Sequence, residues 1–308
     1  MSLKAKNLEI LGRNGVAVPR GFALSEDHFA AAVSPYASAI VEALPDADRI
    51  AAIIQGLPTP PLTRRRLTEG LAALGDASRF AVRSSAHIWA QGQAVAEDSE
   101  MVSMAGQFES YLNVPRHQVM TAVRRCWASL FNDRSLDRFK ADAAYVAGSR
   151  MAVIVQEMVV AKASAVMMTA DPQGSGETGA VEFAWGPCEA IVAGMVSPDE
   201  ATFDRRTGRV LSLTTGRKEL RVAYGAFSRL GENITRLPTS PAERATPALS
   251  PEVIDRLIAL GCRIETLFGR PQDIEAVVDA GDRIVITQAR SVTTLPPTLA
   301  PLTIAAAV

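Results

Sequence analysis

The chain has 308 residues, of which 48% are hydrophobic and 21% charged, enough apolar material for a sizeable core in one large domain or two lobes. With 32 basic and 33 acidic residues the formal charge is −1, so no global field favours nucleic acid or an anionic membrane, and any phosphate site has to be local. Cys126, Cys188 and Cys262 are far apart with no CxxC, which points to a reducing cytoplasm, and neither a secretion leader nor an apolar run of about 18 residues is visible.

In chain order, Leu3, Leu8, Ile10 and Leu11 have helical spacing over residues 3–12, which Arg13-Asn14-Gly15 breaks. Val16–Leu24 reads as a strand interrupted by Pro19 and Gly21, and Ser25 opens a helix with acidic residues in its first turn. Residues 45–78 read as short helical pieces around Pro58, Pro60 and Pro61, with Arg64-Arg65-Arg66 as a solvated helix face. Phe80–Arg83 reads as a short strand, and residues 116–131 as a helix that buries Trp127. Met151–Val160 and Ala163–Met168 are two further predicted strands, and Ser250-Pro251 sets the cap and first position of a helix reaching Phe268. The order is mixed α+β without regular βαβ alternation or an internal repeat. Gly174–Gly179 matches G-x-G-x-x-G, but the strand-like AVEFAW follows it instead of a helix, so the dinucleotide reading fails on context. His28, His87 and His117 lack metal-spaced partners.

The stretch RPQDIEAVVDAGDRIVITQAR, residues 270–290, predicts a hairpin: Ile274–Asp279 and Ile284–Thr287 are β-branched, with a Gly-bearing turn between them. With an even loop, the two-residue period puts Glu275, Gln288 and Arg290 on one face and Ile274, Ala276, Val278, Val285 and Ala289 on the other. A carboxylate, an amide and a guanidinium in a covered sheet need partners to offset desolvation. An internal Glu–Arg ion pair is one answer; Mg²⁺ on the oxygens with phosphate on the arginine is another.

Read together, Lys4 in KAKNLEIL, FAVRSSA at 80–86, AEDSEMVSMAGQFESYLNV at 96–114, CWASLFNDR at 126–134, VQEMV at 155–159, MMTADP at 167–172, and FGRPQDIEAVVD with ITQAR form one ordered set. In order and spacing they resemble the N-terminal ATP-binding domain of the pyruvate,water dikinase (phosphoenolpyruvate synthase) and pyruvate,phosphate dikinase family, across nearly the whole chain. The resemblance implies an ATP-grasp of class α+β, two lobes with a nucleotide cleft between them: residues 1–157 with the phosphate-covering loop, residues 158–295 with the metal ligands, and a Pro/Thr/Ala-rich tail at 296–308. It implies ATP and Mg²⁺ as cofactors, Lys4 and Arg83 as a cationic clamp, and Ser103, Gly106 and Gln107 in the phosphate-covering loop. It further implies adenine recognition along Val155–Met158 with Gln156 and Met158 contributing, Glu275 and Gln288 as Mg²⁺ ligands, and Arg290 at the terminal phosphates. Arg83 and Arg290 are thereby the catalytic candidates. Asp171-Pro172 and the segment around Gly186 and Glu189 also follow the family pattern, but a turn and a strand end explain them equally well.

Two departures from that pattern stand out. Residues 87–95, HIWAQGQAV, are inserted between Ser-Ser-Ala and Ala-Glu-Asp, and the glycine pair that precedes the lysine in the family is absent ahead of Lys4. Members of the family carry a swivelling histidine domain and a pyruvate-binding barrel, and the residues here contain neither pattern. The expectation is an ATP-dependent phosphotransferase subunit or domain that passes phosphate to a histidine on a separate domain or chain. Direct phosphorylation of a small molecule and a non-catalytic nucleotide-binding module are the alternatives. The joint presence of Lys4, Arg83, Glu275, Gln288 and Arg290 argues against the last.

Overall fold

The computed structural model describes residues 3–90, 93–96, 98–99, 102–103, 108–171, 176–224 and 234–292. Its architecture is α+β, as expected, and it divides into two compact units. One comprises Arg20–Met158 with the residues up to Lys6; the other comprises Asn7–Pro19 with the described parts of Val159–Gly225 and Ile234–Val308. The helix α1 (Leu3–Arg13) therefore contributes to both. Among the described residues no helix is long and apolar enough to cross a membrane.

The first unit is built on an antiparallel sheet of β1 (Gly21–Leu24), β2 (Arg79–Ala90), β3 (Gln93–Ala96), β6 (Ser110–Pro115) and β7 (Arg150–Glu157). A two-stranded ribbon, β4 (Asp98–Ser99) with β5 (Val102–Ser103), lies between β3 and β6 in the chain. β7 pairs one edge of β2 while β6 and β3 follow one another along its other edge. Helices α2 (Glu26–Val33), α3 (Ala37–Ala43), α4 (Ala47–Gly56), α5 (Pro61–Ala73), α6 (Val119–Ser129), α7 (Asp133–Phe139) and α8 (Ala143–Gly148) complete the unit. The helical repeat in α6 buries Val119, Ala122, Val123, Cys126 and Trp127 on one stripe, and Trp127 meets Phe29 of α2 edge to face at 6.1 Å. They pack with Phe80, Val82, Ala86 and Ile88 of β2 and with Val153 and Val155 of β7.

The expected short strand Phe80–Arg83 is thus the start of a twelve-residue strand. Beyond that expected stretch, Ser84↔Val153 and Ala86↔Met151 pairing holds Ser84-Ser85-Ala86 extended. The insertion at 87–95 prolongs this strand and returns as β3, with His87↔Ala96 and Trp89↔Ala94 in register. Its base is fixed by the Trp89 N–H on Ser149 Oγ at 3.0 Å and by a hydrogen bond between His87 Nδ1 and Glu26 of α2.

In the second unit, β8 (Ala163–Met168), β9 (Thr178–Trp185), β10 (Asp199–Asp204), β11 (Val210–Thr214), β14 (Gln272–Val278) and β15 (Ile284–Ser291) form an antiparallel sheet ordered β11-β10-β9-β8-β14-β15. β12 (Leu220–Tyr224) pairs with β13 (Ile234–Pro238), and α9 (Glu189–Val192), α10 (Pro241–Ala245) and α11 (Pro251–Phe268) are its helices. Ser250 caps α11, whose buried stripe of Val253, Ile254, Leu257, Ile258 and Ile264 packs on Val181, Phe183, Ile274, Ala276 and Ile286. Gly261 brings α11 close to β8: a Cβ there would lie 2.3 Å from Met167 Cε. Residues 7–19, assigned by the sequence division to the first lobe, sit in this unit because Leu8, Leu11 and Val16 enter its core and Ala17 O accepts from the Ile286 N–H at 2.9 Å. The predicted strand over Val16–Leu24 is accordingly reduced to β1. The expected tail at 296–308 lies outside the described residues.

Candidate functional site

The first unit presents Lys4, Arg83, Gln156 and Met158. Alternation along β2 turns Phe80, Val82, Ala86 and Ile88 into the core, so Ala81, Arg83 and Ser85 occupy the opposite face of the sheet. Gln156 is cross-strand from Ala81 and from Gly21, placing it on that same face, where it is buried. Gly21 makes room for this arrangement: a Cβ there would lie 2.6 Å from Val155 O and 3.1 Å from the Gln156 Cγ. Lys4 extends from α1 to donate from Nζ to Ser84 O at 3.1 Å, so its amine sits beside the strand residue that follows Arg83.

The segment Val155–Met158, expected to read adenine, has two of its backbone donors engaged. The Glu157 N–H donates to Arg20 O at 2.8 Å and the Met158 N–H to Arg79 O at 3.0 Å, so both backbone donors are spent holding β7 between its neighbours. Of the loop residues, Ser103 ends β5, while Gly106 and Gln107 lie outside the described residues.

The second unit gathers Glu275, Gln288 and Arg290. Glu275 is directly opposite Gln288, and Asp273 directly opposite Arg290. Opposed residues and those two apart share a face, so Asp273, Glu275, Gln288 and Arg290 form one four-residue polar block, turned away from the Ile274, Ala276 and Ala289 face. How the register arrives there differs from the expectation. The loop, residues 279–283, is odd, and by itself would set Glu275 against Thr287. A bulge opposite Glu275 absorbs one extra residue, Thr287, and brings Gln288 across from the carboxylate. Thr287 Oγ1 donates to Glu275 O at 3.2 Å across this irregularity. The same shift corrects the apolar face: Ile286, paired with Ala276, joins the core cluster where Val285 was expected.

The ion pair expected as the bland explanation of Arg290 exists with a different partner. Arg290 donates from Nε at 2.9 Å and Nη2 at 2.7 Å to Asp273 Oδ2. Sequence reasoning missed Asp273; the signal available was its position two residues before Glu275 in a strand, which puts both on one face.

The donor set fits a magnesium ion. Mg²⁺ takes oxygen ligands, uses one or two from the protein and keeps phosphate and water for the rest. Cross-strand neighbours have Cβ atoms about 5 Å apart, close enough for Glu275 and Gln288 oxygens to reach a common ion. Among the described residues no group of three or more His, Cys, Asp or Glu residues that could hold a metal occurs. His28 is instead buried against Thr63 Oγ1 at 3.2 Å, its pKa lowered first by that burial.

Elsewhere in this unit two polar groups are structural in character. Asp199, the first residue of β10, is buried and ion-paired with Lys218. Glu189 is half-buried, and its carboxyl pKa is pushed up by burial, with a 3.3 Å hydrogen bond from the Tyr224 hydroxyl acting in the opposite sense.

A carboxylate, an amide and a guanidinium on one sheet face are side chains of the kinds that suit a hard divalent ion and phosphate. The chain belongs to the family described as the pyruvate phosphate dikinase, AMP/ATP-binding domain, whose model matches residues 3–301. It is similar to rifampicin phosphotransferase of Streptomyces sviceus, 36% identical over 312 residues, covering 96% of this chain and 34% of that protein. It is also similar to the probable phosphoenolpyruvate synthase of Methanothermobacter thermautotrophicus, 32% identical over 313 residues, covering 95% of this chain and 44% of that protein. The chain therefore spans well under half the length of these curated relatives. Among solved structures, the D-alanine-D-alanine ligase from Coxiella burnetii matches with a TM-score of 0.37 and 10% identity, covering 97% of this chain and 50% of that one.

Proposed function

We propose that this chain is the Mg·ATP-binding, ATP-grasp part of a phosphotransferase, and that it passes a phosphoryl group from ATP to a histidine on a separate domain or chain. The observation that carries the reading is the block of Glu275, Gln288 and Arg290 on one sheet face, in a chain that belongs to an AMP/ATP-binding domain family. Phosphoryl transfer asks the protein for positioning and charge more than for covalent chemistry. Lys4 and Arg83 supply positive charge to phosphate oxygens, and Arg290 does so at the terminal phosphates. Glu275 and Gln288 hold the Mg²⁺, which when bound neutralises phosphate charge. Gln156 and Met158 contribute to the adenine side, and Ser103, Gly106 and Gln107 belong to the loop that covers the phosphates.

A second reading, direct transfer to a small acceptor, is favoured by the β2–β3 hairpin, because the insertion at 87–95 continues the strand that carries Arg83. The two are separated by incubating the chain with labelled Mg·ATP, with and without a separately expressed histidine-domain protein of the family. Label on the partner's histidine supports the first reading, and turnover of a small acceptor by the chain alone supports the second. A chain that binds no Mg·ATP refutes both.

A further inference from the structure

Among the polar residues that carry no role so far, Asp273 has the most specific geometry. Its carboxylate takes the guanidinium of Arg290 through a single oxygen, Oδ2, which accepts from Nε at 2.9 Å and from Nη2 at 2.7 Å. The pair is drawn in from solvent, with the arginine side chain 24% exposed and the aspartate 13%. Asp273 and Arg290 are directly opposed across β14 and β15, two register steps from the opposed pair Glu275 and Gln288.

We propose that Asp273 is a positioning residue that sets the orientation of the Arg290 guanidinium toward the terminal phosphates, an inference that rests on the nucleotide reading above. The physical reasons lie in the shape of the group and in its neighbours. Guanidinium is planar with five donors in a fixed fork, so engaging Nε and one terminal nitrogen fixes the plane of the remainder. Without Asp273 the side chain keeps its charge but loses the two-point contact that sets its plane. Asp273 thus acts on phosphate through Arg290.

The test measures Mg·ATP and AMP affinities by calorimetry for the unaltered chain, Asp273→Asn, Arg290→Gln and the double variant. Asp273→Asn is expected to weaken Mg·ATP about tenfold, the equivalent of about 1.4 kcal/mol, while AMP, which lacks the terminal phosphates, changes less than twofold. In the Arg290→Gln background the same substitution is expected to change Mg·ATP less than twofold, because the group it positions is gone. Should Asp273→Asn not fold, Asp273→Thr, a polar residue suited to a strand, is read in the same way. A parallel loss for ATP and AMP, an unchanged ATP affinity, or a full tenfold effect retained in the Arg290→Gln background overturns the inference while leaving the nucleotide reading intact. An unaltered chain that binds neither nucleotide removes the nucleotide reading and this inference with it.

Discussion

Replacing Asp199 by Asn alters the most completely engaged carboxylate described in the second unit. Asp199 is 0% exposed and Lys218, its ion-pair partner, 1%. Its Oδ1 also accepts from the Gly216 N–H at 2.9 Å, and its Oδ2 from the Ala248 N–H at 2.7 Å, so one side chain ties β10 to two separate loops. Asparagine keeps the volume but removes the charge and turns an NH₂ group toward one of these donors. Leaving a buried partner charge uncompensated costs about 3–5 kcal/mol, and orphaning one buried N–H adds about 1–3 kcal/mol. Allowing for relaxation, we expect about 5 kcal/mol, comparable with the whole stability of a modest domain. Urea unfolding followed by tryptophan fluorescence reads it, because Trp185 is in the second unit while Trp89 and Trp127 are in the first. In a Trp89→Phe, Trp127→Phe background the midpoint should fall by about 2–3 M for a slope of about 2 kcal/mol per M. Adding Lys218→Met should recover about half of the loss, since the stranded ammonium goes while the displaced N–H remains. A loss under about 1 kcal/mol, or a double variant no better than the single one, refutes this account.

Glu275→Ala should abolish the protection that Mg·ATP gives against heat. A ligand at about one hundred times its Kd stabilises by about 2.7 kcal/mol, worth about 5–10 °C in Tm for a unit of this size, and protection equal to that of the unaltered chain removes Glu275 from the metal site. Glu189→Gln should stabilise the second unit at neutral pH and do so less as the pH falls. Burial raises the folded-state pKa of this carboxyl, so the folded chain holds a proton that the unfolded chain releases, and stability is lost as pH rises through the folded value. Urea midpoints read on Trp185 at pH 4 and pH 7 check this, and a gain that is constant or larger at acid pH contradicts it.

Much of the fold was legible because its signals are local. Ser250-Pro251 and Gly269 bracket α11 and its 3.6-residue stripe, and the helix expected from Pro251 to about Phe268 is α11 (Pro251–Phe268). Trp127 was readable as buried from its helical spacing alone. What escaped depends on pairing with distant strands. Ser84-Ser85-Ala86 has no intrinsic tendency to extend, and only β7 alongside makes it strand. Residues 7–19 look local to the first lobe until Leu8 and Leu11 find their apolar partners in the other unit. The polar block was half legible: alternation identified its face, but the odd loop and the extra residue at Thr287 offset one another, and neither can be inferred without the register.

The second unit contains two polar groupings of similar composition, and their surroundings separate them. Asp199 and Lys218 have almost no exposed surface, and both carboxylate oxygens accept from the chain's own donors, so there is no room for a ligand and the net effect is to hold loops in place. Asp273, Glu275, Gln288 and Arg290 lie on a sheet face where Gln288 is buried but Glu275 is half-buried and Arg290 24% exposed, so that face keeps some access for a ligand. Desolvating four polar side chains on one strand pair weakens a sheet unless they are given partners. Within the block Asp273 partners Arg290, and under the proposed function Glu275 and Gln288 hold the divalent ion. It follows that the two groupings should respond oppositely to Mg·ATP: the substitution at Asp199 lowers stability by the same amount with and without nucleotide, whereas Glu275→Ala changes chiefly the difference between the two conditions.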